Sequence, residues 1–227
     1  MRRLWFFLTF GLIGTGILVS LGVWQVQRLA GKQGKIAQIE AEMAAPPVIA
    51  AQGITDDMRR YAPVEVTGTF GPPHLRMLAS RKTTGAVYRI IRQFALNSGQ
   101  RILVDTGWQP QSQAVLDAPS TQLTLTGNLD DPIEADGFTP APDMAANIWF
   151  ARDVDAMART LDTSPILLVL RDLPPAELGV TPWPVDTAGI PNDHLQYAIT
   201  WFSLAVIWAG MTAYFVLRTP RRTPKET

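Results

Sequence analysis

Two uncharged apolar runs lie near the two ends of the chain and dominate its pattern of hydrophobic and polar positions. The first covers residues 4–24 and the second covers residues 195–217, and neither contains Asp, Glu, Lys or Arg. A bilayer core requires about 20 apolar residues in helical form, so each run is long enough to cross a membrane once. We therefore predict one transmembrane helix over 4–24 and another over 195–217.

The chain is expected to remain helical beyond the first run. Residues 25–45 keep a helical pattern until Pro46 and Pro47, which end helices. Basic residues at positions 2 and 3 would also suit a cleaved signal peptide, but the apolar run exceeds the roughly 7–15 residues usual in such leaders. We expect an uncleaved anchor with a helical extension over 25–45.

Short alternating segments between the two helices predict a β-rich domain over residues 46–190. Strands are expected at 64–70, 75–80, 87–96, 101–108, 122–129 and 165–173. Such spacing indicates an antiparallel sheet, closed or nearly closed into a barrel-like form. Residues 130–147 are expected to form a long loop, and Asp153 is placed to cap a short helix over 154–161. The predicted class is therefore a membrane-anchored α+β protein.

Basic residues flank the second apolar run on one side only. Four of them lie in the tail at 218–227, whereas residues 173–194 contain no Lys or Arg. The positive-inside rule places this tail in the cytoplasm. Two spans bring the N-terminus to the same side, so the β-rich domain is expected to be extracytoplasmic.

Charge and residue types leave few kinds of chemistry available. Twenty basic and twenty acidic residues balance, which gives no reason to expect nucleic-acid binding. The chain lacks cysteine, which excludes thiolate metal sites, and it lacks a P-loop, a dinucleotide fingerprint and a nucleophile elbow. His74 follows Gly71-Pro72-Pro73 and is expected in a surface turn, with no role assigned. The sequence therefore predicts a protein that is not an enzyme.

The second histidine stands where the second apolar run begins. Pro191-Asn192-Asp193 is typical of a helix start, which makes His194 the first helical residue. The positive end of a helix favours neutral imidazole, the form that binds metals. Tyr197 and Trp201 follow on the same helix face. His, Tyr and Trp also suit the headgroup level of a bilayer without binding anything, and position alone favours that second interpretation.

Residues of the first helix are expected at the depth of His194. The first span leaves the membrane where the second one enters it, so Trp24, Gln25 and Arg28 belong to the same rim. Small residues that would let the two helices approach closely are Gly16, Ser20, Ala205, Ala209 and Ala213. A histidine, flat aromatic rings and an arginine suit a haem, with imidazole as axial ligand and guanidinium on a propionate. Alternatively, Arg28 extends towards lipid phosphates, which is individually the more frequent arrangement.

Four motifs stand out along the chain: LGVWQVQR at 21–28, YAPVEVTGTF at 61–70, NIWFARDVDAMA at 147–158 and PNDHLQYAITWF at 191–202. They resemble those of the Surfeit locus 1 family of cytochrome c oxidase assembly factors, as does RILVDTGWQP at 101–110. Two of these motifs depart from the family pattern. Asp193 stands where the family often has Asn, and Asp105-Thr106 replace its usual Asn-Arg, which leaves the role of that position open.

The resemblance implies a factor that binds haem a at the outer membrane rim and aids its delivery to, or insertion into, subunit I of a haem–copper cytochrome c oxidase. The implied haem-binding residues are His194 as axial ligand to the iron, Trp24, Gln25, Arg28, Tyr197 and Trp201. Implied partners are subunit I, haem a synthase or other oxidase assembly factors, and membrane lipid. The alternative is a haem-free two-span scaffold that stabilises oxidase subunits. The short N-terminus without a transit segment suggests a bacterial inner-membrane protein with a periplasmic main domain.

Overall fold

The computed structural model describes residues 2–55, 58–171 and 178–218. The chain divides into two compact units. The helical unit consists of Met1–Gln38 and Ala188–Thr227, and the β-rich unit consists of Ile39–Thr187. The described residues form three helices, which are α1 (Arg2–Ala44), α2 (Val154–Leu161) and α3 (His194–Arg218).

Helices α1 and α3 carry the two apolar runs. α1 has 43 residues and continues without a break through the predicted span and the predicted extension. α3 has 25 residues and begins at His194, as predicted. Both helices are long and apolar enough to cross a membrane.

Three glycines of α1 allow α3 to lie directly against it. A side chain at Gly11, Gly14 or Gly22 would overlap atoms of α3. The facing side chains are Thr212 for Gly11, Trp208 for Gly14 and Phe202 for Gly22, so the two helices run antiparallel. The indole N–H of Trp208 also donates to the carbonyl of Gly11 at 3.2 Å.

The small residues predicted for this packing are mostly elsewhere. Gly16 faces open space, and Ser20, Ala209 and Ala213 are exposed. Among the five, Ala205 is the buried one, at 4% exposure. The prediction of close helix packing through small residues is confirmed, and Ala205 was chosen correctly. Gly16 and Ser20 on α1 and Ala209 and Ala213 on α3 were wrong, because sequence spacing alone does not fix which faces of the two helices meet.

The described residues of the β-rich unit form seven strands in one sheet. They are β1 (Val48–Ile49), β2 (Pro63–Arg81), β3 (Gly85–Leu96), β4 (Arg101–Pro110), β5 (Leu123–Asp130), β6 (Ile148–Trp149) and β7 (Leu167–Leu170). The strand order is β1-β2-β3-β4-β7-β5, and β5 also pairs with β2. These pairings join β2, β3, β4, β7 and β5 in a closed circuit.

The sheet is mixed, which corrects the prediction of an antiparallel sheet. β7 pairs antiparallel with β5 but parallel with β4. A closed circuit of five strands cannot alternate in direction all the way round, so at least one neighbouring pair has to be parallel. The short strands β1 and β6 also pair parallel with β2.

A second correction concerns β2, which the sequence predicted as two strands separated by a turn. Gly71-Pro72-Pro73 lies inside β2, where the register with β3 shifts between Phe70 and His74. Proline cannot donate to the ladder, but it is tolerated at such irregularities. His74 is therefore a half-buried strand residue and not part of a surface turn.

Buried apolar side chains form two clusters in the β-rich unit. One cluster includes Val66, Phe94, Ile102 and Leu168. The other includes Ile91, Leu103 and Val169 together with the buried face of α2, formed by Val154, Met157, Ala158 and Leu161. Neighbouring residues of one strand thus enter different clusters, as the alternation of β side chains requires. Asp153 caps α2 as predicted, accepting from the N–H of Ala156 at 2.9 Å.

Candidate functional site

His194 is hydrogen-bonded across the helix pair. Its ring nitrogen Nδ1 lies 2.8 Å from the side-chain oxygen Oε1 of Gln25, on α1. An amide oxygen can only accept, so Nδ1–H donates, and in the neutral ring Nε2 then carries the lone pair. Neutral imidazole with a free Nε2 is a form that ligates metals. The structure therefore joins two of the residues that the sequence had placed at one depth.

Packing near this hydrogen bond keeps the two helices close. Gly22 lies three residues before Gln25 and is buried, and the ring of Phe202 occupies the space that a side chain at Gly22 would need. Gln25 is itself buried, with 8% exposure, whereas His194 is half-buried. The close approach at Gly22 allows the amide of Gln25 to reach the imidazole.

An exposed tryptophan precedes Gln25, and an exposed arginine follows three residues after it. The guanidinium carbon of Arg28 lies 5.5 Å from the ring centroid of Trp24, which is 46% exposed. A cation over an aromatic face at an exposed site is worth about 0.5–1 kcal/mol. Trp24 and Arg28 therefore share one face of α1, and this face presents a flat ring beside a positive charge.

The two aromatic residues of α3 are less closely tied to this site. Tyr197 is 54% exposed, and Trp201 is half-buried. They lie about one and two helical turns beyond His194. In the described part of the chain, neither makes a ring contact or side-chain hydrogen bond with His194, Gln25, Trp24 or Arg28. Their contribution to a common binding surface stays a prediction.

The side chains at this site could hold a haem iron, which takes fewer ligands from the protein than a bare metal ion does. Within residues 2–55, 58–171 and 178–218, no group of three or more His, Asp or Glu side chains lies together as a metal ion would require. A haem iron takes its equatorial nitrogens from the porphyrin and needs only axial ligands from the protein. One imidazole with an unshared Nε2 can supply such a ligand, and Arg28 can pair with a carboxylate tail.

The β-rich unit contains a buried ion pair that the sequence analysis missed. Nε of Arg89 lies 2.6 Å from Oδ2 of Asp105, and both side chains are buried. Oδ1 of Asp105 accepts from the N–H of Gly107 at 3.1 Å, and the hydroxyl of Thr106 donates to the carbonyl of Ile90. Asp105 and Thr106, which depart from the family pattern, are therefore buried structural residues here. The sequence did carry one signal for this ion pair, since Arg89 and Arg92 place two charges inside the otherwise apolar strand predicted over 87–96.

His74 lies close to buried positive charge. Burial, followed by the charges of Arg92 and Arg76, lowers the pKa of His74 from its ordinary value. Arg92 is fully buried and donates to the carbonyl of Leu116, and burial lowers its own pKa although Asp117 opposes this. The surroundings of His74 in the sheet thus favour its neutral form.

A second charged network holds the segment after β5. Oδ2 of Asp130 lies 3.1 Å from Nη1 of Arg152, and Arg60 binds the other oxygen at 2.9 Å. Arg152 also binds Glu134. Burial raises the pKa of Glu134, but hydrogen bonds and charge from Arg152 outweigh this effect and lower it. Asp130 and Glu134 are therefore both engaged in ion pairs with Arg152.

One known protein family matches most of the chain. The model of the SURF1 family matches residues 12–206. The chain belongs to the SURF1 family. The family resemblance predicted from the motifs is therefore confirmed, and the matched range includes all six candidate site residues.

Relatives in this family cover most of the same length. A SURF1-like protein of Rickettsia felis is 29% identical over 206 residues, which is 86% of this chain and 90% of the relative. Surfeit locus protein 1 of Rattus norvegicus is 27% identical over 231 residues, which is 90% of this chain and 73% of the relative. Surfeit locus protein 1 of Homo sapiens is 27% identical over 217 residues, 82% of this chain and 69% of the relative.

Proposed function

We propose that the protein assists assembly of a haem–copper cytochrome c oxidase by binding haem a through His194 and aiding its delivery to, or insertion into, subunit I. Membership of the SURF1 family, which is generally known for oxidase assembly, supports the first part. The second part depends on one observation. Nδ1–H of His194 is engaged by Gln25, so Nε2 is the ring nitrogen available to an iron.

The site residues have separate roles in this proposal. Nε2 of His194 would hold the haem iron, and the exposed ring of Trp24 would offer a flat apolar face. Arg28 neutralises a carboxylate tail, and Tyr197 and Trp201 extend the aromatic surface along α3. Haem a, when bound, supplies the redox-active iron that the oxidase requires. A half-buried histidine as the protein's one proposed ligand suits a carrier that must also release its cargo.

We further propose that α1 and α3 both cross the inner membrane of a bacterium. Large apolar side chains on both helices are exposed, for example Ile13 at 63% and Val206 at 73%, which suits contact with lipid. The basic tail at 218–227 favours cytoplasmic termini and a periplasmic β-rich domain. The closed circuit of strand pairings supports a barrel-like form for that domain.

A haem-free scaffold is the second candidate function. The exposed rings of Trp24 and Tyr197 also suit the headgroup level of a bilayer, and the exposed apolar helix faces suit contact with membrane-embedded subunits. In this case the partners are subunit I, haem a synthase or other assembly factors, and His194 has no ligand to bind.

A complementation experiment separates the two functions. A strain that makes haem a but lacks this protein receives the parent gene, His194→Ala or His74→Ala, and the haem a content of its purified oxidase is measured. For a haem carrier, His194→Ala resembles the deletion although the variant protein accumulates normally, whereas His74→Ala resembles the parent. Full restoration by His194→Ala would favour the scaffold.

A further inference from the structure

We infer that Gln25 is a positioning residue that holds His194 in the Nδ1–H tautomer and thereby makes Nε2 the atom that binds iron. This inference rests on the proposed haem-binding function. It changes the role of Gln25, which the sequence analysis counted among the residues contacting haem. Gln25 acts on the ligand and not on the haem itself.

The hydrogen bond has the geometry and surroundings that such a role requires. The separation of 2.8 Å between Nδ1 and Oε1 lies within the range of ordinary N–H···O bonds. The side chain of Gln25 is buried, and a hydrogen bond is electrostatically stronger away from water. Within the described ranges, this is the one hydrogen bond that the structure gives the His194 ring.

Without an acceptor opposite Nδ1, no contact fixes which nitrogen of the His194 ring carries the proton. A neutral imidazole carries its proton on either nitrogen, and the hydrogen bond made by one nitrogen decides which of them is free to bind a metal. Metal-bound histidines usually donate their other N–H to a carboxylate, a carbonyl or water, which fixes the ring and raises its basicity. The neutral amide oxygen of Gln25 occupies this place.

The first experiment observes the tautomer in the full-length, haem-free protein in detergent. Histidine labelled with ¹⁵N gives signals from two residues, and the spectrum of His194→Ala identifies the signal of His194. We expect a protonated Nδ1 in the parent and in Gln25→Glu, which keeps an acceptor. We expect Gln25→Met, which is similar in size but has no amide oxygen, to shift the proton towards Nε2. Gln27→Met is the matched control, because Gln27 is exposed on the same helix.

The second experiment measures haem a affinity and reduction potential for the same variants. Loss of an outer partner of a metal ligand typically lowers metal affinity about 10–100-fold, and we expect Gln25→Met to lose haem a affinity within this range. Gln25→Glu should retain binding and lower the reduction potential, because a carboxylate acceptor makes the imidazole a stronger donor to ferric iron. Gln25→Met should raise the potential relative to the parent, and Gln27→Met should leave it unchanged.

The outcomes distinguish this inference from the function on which it rests. An unchanged tautomer in Gln25→Met, or an unchanged affinity and potential in that variant, would overturn the positioning role. A parent protein that binds no haem a would overturn the proposed function instead. In that case the nitrogen spectrum still decides whether Gln25 sets the tautomer.

Discussion

Replacing Arg89 with Met would leave the carboxylate of Asp105 buried without its cation. The side chain of Asp105 has no exposed surface, and that of Arg89 is 7% exposed. Arg89 donates from Nε to Asp105 at 2.6 Å and from Nη2 to the carbonyl of Trp183 at 2.9 Å. Methionine fills part of the same space but supplies neither donor, so Arg89→Met mainly removes the charge pairing.

The magnitude follows from the burial of this pair. Two unit charges about 4 Å apart attract by roughly 4 kcal/mol at an effective dielectric constant of about 20. Removing one member of a buried pair generally costs about 3–5 kcal/mol, because the other charge stays buried. We expect Arg89→Met to lower the free energy of unfolding by this amount. The unfolding midpoint should fall by about 6–20 °C for a unit of this size.

An exposed ion pair in the same unit provides a matched control. Nη2 of Arg101 lies 2.7 Å from Oδ2 of Asp162, but the two side chains are 47% and 80% exposed. Exposed pairs contribute about 0–1 kcal/mol, so Arg101→Met should have little effect. Both variants can be compared with the parent by urea and thermal unfolding of the full-length protein in detergent, followed by tryptophan fluorescence.

Two results would refute this reasoning about the buried ion pair. Equal losses in Arg89→Met and Arg101→Met would refute the argument that burial, and not the distance between charges, sets the cost. A loss below about 1 kcal/mol in Arg89→Met would refute it as well. The double variant Arg89→Met with Asp105→Leu should regain most of the lost stability, because the buried carboxylate that lost its cation is then removed as well.

Three further predictions concern packing, pH and helix capping. Gly14→Ala should destabilise the helical unit in thermal melts by about 1–3 kcal/mol, because the added β-carbon would overlap the indole of Trp208 on α3. Gly16→Ala, whose β-carbon would lie in open space, should stabilise the unit by up to about 1 kcal/mol. The β-rich unit should lose stability to urea as pH falls below the ordinary His74 pKa of 6.5, because burial and two arginines lower that pKa in the folded state and the unfolded chain takes up the proton first. His74→Gln should remove this part of the pH dependence. Asp153→Ala should cost about 0.5–2 kcal/mol through the lost cap, and Asp155→Ala on the exposed side of the same turn should cost less.

Each of these predictions has a result that contradicts it. Equal melting temperatures for Gly14→Ala and Gly16→Ala would contradict the packing prediction. A pH dependence of stability that is the same in His74→Gln as in the parent would contradict the pH prediction. A loss of stability in Asp155→Ala as large as that in Asp153→Ala would contradict the capping prediction.

The helices could be predicted from the sequence because their signals are local. The uncharged runs at 4–24 and 195–217 lie within α1 and α3. Asp153 marked the start of α2, and the amphipathic segment 154–161 that follows it gave the extent of the helix. The parallel pairing of β4 with β7 had no such local signal, since it depends on how five separate strands close into a circuit. The turn predicted at Gly71-Pro72-Pro73 was wrong because a long strand can absorb two prolines at a register shift.

The sequence could predict that the residues of the candidate site lie at one depth of the membrane, but not which of their side chains are in contact. Antiparallel spans place Gln25 and His194 at one level, yet the rotation of each helix decides whether their side chains meet. That rotation depends on the packing at Gly14 and Gly22, and spacing had pointed to Gly16 instead. The buried pairing of Arg89 and Asp105 similarly depends on the register of two strands, including an irregularity between Ile90 and Ile91.

Titration of haem a into the purified, haem-free protein tests most directly whether His194 is the iron ligand. Binding is followed through the Soret band for the parent, His194→Ala and His74→Ala, with circular dichroism to verify folding. The parent and His74→Ala should show the same shifted band, and His194→Ala should not develop it. Arg28→Ala should weaken binding about 10–150-fold, the equivalent of one charge-assisted contact, and Arg28→Lys should weaken it less. If folded His194→Ala binds haem a with the affinity and spectrum of the parent, the histidine is a rim residue and the proposed carrier has no ligand.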